Sequence, residues 1–312
     1  MYKKIVYRAG RTVEVIKCYS HRYHPKGAKG PPQKKSPEKI AEANKKQQEK
    51  KLNRIINANF GEGDLYCTLT YEDGDHKPRN EDELKKDIQR FMRNLKGMYE
   101  RRGFELKYIY TCSMGKRGNN PHFHTIVNAP MGYQGAVELV KRQWKRKDAT
   151  LEETVLATQG DKKRPIFDVE GEEPSLMKGF VKPEALYKDG EYRSLANYMI
   201  KNSGEIQKAE KEQKENKVGQ TGSEEGKVVK FRRAYEHSRN LVVPQPEVTI
   251  IEAERFSEKV KAPKGYYIEP GSIRKGSDWS GWPYITYTLI SMKPRGRTKP
   301  PDKGRREKRK CG

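Results

Sequence analysis

Two histidines bracket one large apolar residue in Pro121-His122-Phe123-His124-Thr125-Ile126-Val127. In a strand, alternation puts both imidazoles on one face and Phe123 on the other. Imidazole nitrogens placed side by side in this way can share one divalent ion at about 2.0 to 2.1 Å. Six histidines scattered at random over the chain give only about 0.1 such pairs, which favours a site over the alternative of two solvated surface histidines.

The second cluster is Ser194-Leu195-Ala196-Asn197-Tyr198-Met199-Ile200-Lys201, followed by Gly204. Leu195 with Met199 and Ala196 with Ile200 stand one turn apart, which predicts a short helix packed on that face. Ser194, Tyr198 and Lys201 share another face, so the phenol and the ammonium can meet one ligand. A phenolate attacks a phosphodiester when a cation on the phosphate makes phosphorus electrophilic and a nearby ammonium steadies the developing charge. Tyr198 is therefore the candidate nucleophile and Lys201 its partner. Alone the spacing means little: about four Tyr-x-x-Lys/Arg are expected by chance and four occur, beginning at Tyr19, Tyr23, Tyr99 and Tyr198. Only Tyr198 combines it with helical packing downstream of the histidine strand.

The elements that must position these residues can be read from periodicity. Leu65, Cys67, Leu69 and Tyr71 alternate with Tyr66, Thr68 and Thr70, the pattern of a strand with one buried face. Asn80 can cap the next helix with Glu83 at the capping-box position, and Leu84, Ile88, Phe91, Leu95 and Met98 follow at helical spacing up to Gly103. Strands are expected at Leu106 to Cys112 and His122 to Asn128, joined through the turn Gly115 to Gly118, with a further helix marked by Val137, Val140 and Trp144. The order predicts an α+β domain over 61–204, an antiparallel sheet with helices on one face.

Before it, residues 1–60 read as a hairpin (Lys4 to Tyr7, Thr12 to Tyr19, with a turn at Ala9-Gly10) and an extended basic arm. Within that arm Glu38 to Ile56 is helical and mostly wet. After it come a charged linker over 205–229, a small β-rich unit over 230–291 and a basic tail over 292–312. The tail has ten Lys or Arg against two acids, too polar to pack. His21 and His24 fall in a Gly- and Pro-rich basic loop and are read as backbone or phosphate contacts. Tyr192, about 240° around the helix from Tyr198, is read as no second nucleophile, and Trp144 and Trp282 as core.

Charge identifies the class of partner. Lys plus Arg number 66 against 42 Asp plus Glu, a formal charge of +24 and a pI near 9.7, so a polyanion is the natural ligand and its binding should weaken with salt. Candidate backbone contacts are Lys116, Arg117, Arg232, Arg233 and Arg239. An apolar fraction of 33% with a mean hydropathy of −1.08 implies much solvated chain. No apolar run suits a membrane span and no apolar region opens the chain, so a cytoplasmic location is expected. Four scattered cysteines without a Cys-x-x-Cys pair argue against zinc or redox chemistry, and no nucleotide-triphosphate motif is present.

A threonine-rich strand (Tyr66-Cys67-Thr68-Leu69-Thr70-Tyr71), the His122-Phe123-His124 strand and a later helix with Tyr198-x-x-Lys201 resemble the three ordered motifs of the HUH endonucleases. More narrowly, the chain is similar to the single-tyrosine rolling-circle replication initiators of bacterial plasmids, integrative elements and small phages. The likeness is densest from about Asp64 to Ser203 and extends weakly to Lys230 to Tyr235 and Ser238 to Leu241. It implies a five-stranded antiparallel sheet with both histidines on a central strand and a Mg²⁺ or Mn²⁺ ion held by His122 and His124. It further implies that Tyr198 attacks a scissile phosphate, leaving a 5′-phosphotyrosine and a free 3′-OH. The implied partners are single-stranded and hairpin DNA at an origin, with a host helicase and polymerase. Relaxases and single-strand transposases share this chemistry, and a non-catalytic nucleic-acid-binding protein is the remaining alternative. The family's usual third ligand, a Glu about nine residues before the first histidine, is replaced here by Cys112-Ser113-Met114. A Cys112 thiolate would suit a softer ion than Mg²⁺.

Overall fold

The computed structural model describes residues 1–34, 36–73, 77–78, 80–113, 115, 120–146, 166–167, 175–187, 190–203 and 234–293. The first elements in chain order are β1 (Tyr2–Ala9), β2 (Thr12–Cys18), α1 (Pro37–Asn59), β3 (Leu65–Thr70), α2 (Glu81–Arg101), β4 (Tyr108–Ser113), β5 (His122–Val127) and α3 (Tyr133–Gln143). There follow β6 (Ile166–Phe167), β7 (Ser175–Leu176), β8 (Val181–Ala185) and a helix, α4, over 193–203. The last are β9 (Glu236–His237), β10 (Pro246–Ile251), β11 (Tyr266–Ile268), β12 (Arg274–Ser277) and β13 (Pro283–Ser291). The expected linker, most of the basic tail, and Lys116, Arg117, Arg232 and Arg233 lie outside the described residues.

The fold is α+β, and at its centre is a five-stranded antiparallel sheet in the order β8-β3-β5-β4-β9, with the histidine strand in the middle. Its local signals act as the periodicity predicts. Asn80 Oδ1 accepts from the Glu83 backbone N–H at 2.9 Å and its Nδ2 donates to the Glu83 carboxylate at 3.0 Å, capping α2. Gly103, at φ 77°, ends the helical run.

Helices cover both faces of this sheet rather than the one expected. Leu65, Cys67, Leu69, Tyr110, Cys112, Phe123 and Val127 point toward α2 and α3 and form one core with Leu84, Ile88, Leu95, Val140 and Trp144. Tyr66, Ile109 and Ile126 point the other way, into a second core with Leu52, Ile55 and Ile56 of α1 and Ala196, Met199 and Ile200 of α4. Each large aliphatic side chain buried there contributes about 1.5 to 3 kcal/mol.

The helix expected as a wet arm is corrected accordingly. Its first turns are exposed, with Ser36 capping at 3.3 Å to Lys39, but Leu52, Ile55 and Ile56 are fully buried. Three apolar residues grouped at one end of a polar helix make a weak periodic signal and yet suffice to seat its last turns on a sheet.

The hairpin β1–β2 forms with Gly10 at φ 57° in its turn. It does not stand apart from the chain's far end. β10 pairs with β1 and β13 with β2, so segments 1–60 and 230–291 build a single six-stranded antiparallel sheet with β11 and β12. Pairing across more than 200 residues leaves no local trace in sequence, which is why the two segments read as separate units. Between the sheets runs α1, where Glu14 of β2 accepts from Arg54 at 2.6 Å and pairs with Lys50 at 3.2 Å.

Candidate active site

The register of the central sheet places the chemistry-bearing residues in rows. His122 stands opposite Thr70 on one side and Ser113 on the other; His124 stands opposite Thr68 and Thr111. All six side chains share the face toward α4, because their neighbours Phe123, Cys67, Leu69 and Cys112 occupy the opposite core. The two imidazole rings lie with centroids 5.0 Å apart and nearly perpendicular.

Hydrogen bonds fix which nitrogen of each ring is free to bind. His122 Nδ1 lies 2.8 Å from the Asn120 carbonyl, which can only accept, so Nδ1 carries the proton and Nε2 keeps its lone pair. His124 is 2% exposed. The Asn202 side-chain amide donates to its Nε2 at 3.1 Å, which puts its proton on Nδ1, facing the Tyr66 hydroxyl at 2.8 Å and Thr68 Oγ1 at 3.3 Å. Burial, and secondarily the neighbouring His122, pushes the His124 pKa down to about 4, so this ring is neutral at ordinary pH, the form that ligates metals. Burial also raises the Tyr66 phenol above its usual range, keeping it protonated.

Tyr198 comes to this face from α4. Its ring meets that of His124 at 5.0 Å between centroids and 71° between planes, while 48% of the residue stays exposed. Ser194, Tyr198 and Lys201 form the exposed side of α4, and Ala196, Met199 and Ile200 its buried side. Tyr192 is fully buried, its hydroxyl donating to the Tyr187 carbonyl at 3.0 Å. Trp144 and Trp282 are buried, and His24 packs on Trp282 at 4.6 Å between ring centroids.

The residues present fit a divalent cation. Two imidazole lone pairs share one face, and Thr111 Oγ1, beside His124, is buried with no hydrogen-bond partner among the described residues. Turning the Asn202 amide over would present its oxygen where its nitrogen now sits, and Ser113 Oγ stands across from His122. Among the described residues no three His, Cys, Asp or Glu side chains cluster as a ready-made metal cage. Cys112 is excluded as a ligand, since it faces the α2–α3 core. Ser113 holds the place opposite His122.

Arg239 is exposed but sits by Tyr108, at the opposite end of β4 from Ser113 and so roughly 17 Å from His122. It is not part of this site. Sequence reasoning missed Asn202, Tyr66 and Thr111. Asn202 follows Lys201 and lies four residues after Tyr198, a spacing that could have flagged it. Thr111 could emerge only from the register of β4 against β5.

The histidine strand, the tyrosine helix and the strands between them all fall in one segment with a recognisable relative. Residues 64–203 match the family of replication-associated proteins of the ORF2 and gene 2 protein type. The match supports a role in replication initiation, and it includes both histidines, Tyr66, Tyr198, Lys201 and Asn202. No curated protein and no solved structure matches the chain. No helix among the described residues is long and apolar enough to cross a membrane.

Proposed function

We propose that the chain is a metal-dependent endonuclease that nicks one DNA strand at a replication origin and holds the cut end covalently on Tyr198. The observation that carries this reading is the seating of the exposed Tyr198 ring against His124, whose strand also presents His122, within the segment that matches the replication-associated family.

Single-stranded origin DNA, extruded from a hairpin or duplex, would lie across the exposed side of α4 and the histidine rows. Tyr198 Oη forms a bond to the scissile phosphorus as the bond from phosphorus to the 3′ oxygen breaks; the phenol proton is lost to solvent and the 3′ oxygen gains one. A 5′-phosphotyrosine and a free 3′-OH remain. Because the phosphodiester is exchanged rather than hydrolysed, the 3′-OH can later attack the same phosphorus and release Tyr198. Lys201, one turn along the exposed face, steadies the negative charge. His122 and His124 would hold Mg²⁺ or Mn²⁺, which when bound draws charge from a non-bridging phosphate oxygen. Tyr66 fixes the tautomer and the plane of His124, the usual task of a group behind a metal-binding histidine. The free 3′-OH would prime a host polymerase, with a host helicase opening the duplex ahead.

Oligonucleotides tiled across the origin of the encoding element, incubated with the protein and Mn²⁺ and resolved on a denaturing gel, test this. One of them should yield a protein–DNA band that survives denaturation and disappears in Tyr198→Phe and His122→Ala. No band from any tile would reject the activity.

A further inference from the structure

The edge strand β8 carries a feature that packing does not explain. Val181 turns toward the α2–α3 core, so Phe180 and Lys182 on either side of it face the histidine rows. Lys182 stands opposite Thr68, in the row of His124. Phe180 extends the same register by one step: the Thr70 backbone N–H donates to its carbonyl at 3.0 Å, and its own N–H donates to Thr70 Oγ1 at 3.0 Å. Phe180 thus lies in the row of His122, two strand spacings or about 10 Å away. Its backbone is locked in place. Gly179 comes so close to β3 that a side chain there would collide with the Thr70 carbonyl, 2.2 Å from the position of a Cβ.

A rigidly held aromatic side chain that remains 49% exposed gains little from folding. Single exposed apolar residues are common on any protein, so exposure alone would say nothing. Position does. Among the described residues the exposed aromatic side chains are Phe180, Tyr187 and Tyr198. All three gather at this face, since Tyr187 Oη lies 3.0 Å from Oγ of Ser194, one turn before Tyr198 on α4. Flat apolar rings beside an exposed lysine, next to a nucleophile for phosphorus, match the chemistry of an unpaired nucleotide: a base that needs a π-face and a phosphate that needs a cation.

We propose that Phe180 is a stacking platform for an unpaired base close to the scissile phosphate and that Lys182 grips a backbone phosphate of the same strand. This rests on the single-stranded DNA reading of the site. Glu184, two residues further along the same face, repels phosphate and bounds the track.

The test is binding of a fluorescein-labelled oligothymidylate by full-length protein carrying Tyr198→Phe, which prevents covalent capture, followed by anisotropy over a range of salt. In that background Phe180→Ala should weaken binding about tenfold or more with an unchanged salt slope, because stacking releases no counterions. Phe180→Trp should retain affinity, whereas Phe180→Leu, apolar but without a π-face, should not. Lys182→Ala should weaken binding and reduce the slope of log K against log salt by about 0.7. Thermal melts establish that each variant is folded. If the parent binds while Phe180→Ala stays within about twofold of it, or Phe180→Leu binds as well as Phe180, the platform is refuted and the DNA reading stands. If the parent fails to bind at all, the DNA reading falls and the platform with it.

Discussion

The two faces of the central sheet are made by the same strands, one residue out of step, and they are used in opposite ways. Toward α2 and α3 the sheet presents Leu65, Cys67, Leu69, Phe123 and Val127, all fully buried, and even its thiol is inert, since burial pushes Cys67 up to about 12 despite a hydrogen bond from Thr125. Toward α4 the same strands present Tyr66, Thr68, Thr70, His122, His124, Thr111 and Ser113, a polar surface only partly covered. Packing is finished on one face, which lets the other hold polar groups in fixed register for chemistry.

Adjacent residues of β5 give the sharpest contrast. His122→Ala should lose cleavage entirely while unfolding free energy changes by no more than about 0.5 kcal/mol, because the side chain is partly exposed. Phe123→Ala should do the reverse, costing about 3 to 5 kcal/mol in urea denaturation by opening a cavity against Trp144 and Tyr71, with cleavage surviving in whatever fraction stays folded. Equal stability losses in the two variants would erase the distinction between the faces.

Thr111→Val probes the polar face from within. Its hydroxyl is buried without a partner among the described residues, so replacing it by a methyl of the same shape should raise stability by about 1 kcal/mol and, if the hydroxyl helps to hold the cation, weaken Mn²⁺ binding in a calorimetric titration. A loss of stability would mean that the hydroxyl has a partner after all.

The smallest expected effect concerns the helix that closes the polar face. Burial alone would raise the Glu14 pKa, but the Arg54 hydrogen bond and the Lys50 and Arg54 charges outweigh it and hold the carboxylate below its usual value of 4.5. A depressed folded-state pKa means that this stabilisation is complete above pH 4.5 and drains away as pH falls through the lower value. Glu14→Gln should therefore flatten the decline of stability below that pH, and an unaltered acid profile would show that the contact does not hold α1.

Much of this was readable from the sequence, for a definite physical reason. A period of two assigns His122 and His124 to one face and Phe123 to the other whatever surrounds them, and a helical period does the same for Tyr198 against Met199 and Ile200. What stayed hidden depends on pairing between distant segments. Period two cannot tell which helix covers which face, so α4 and the end of α1 over the histidine side came only from the structure. The place of Cys112 was ambiguous until its register against Phe123 turned it into the core. Asn202, the partner of His124, is one polar residue among many in a chain with this charge.

The central claim is that the phenol of Tyr198 is the atom that takes the phosphate. Trypsin cuts after Arg193 and Lys201, so digestion of the nicked complex, nuclease trimming of the DNA and mass spectrometry should find the nucleotide remnant on the peptide Ser194 to Lys201, attached at Tyr198. A remnant on any other tyrosine, or an unmodified Ser194 to Lys201 peptide from a complex known to be covalent, would contradict it.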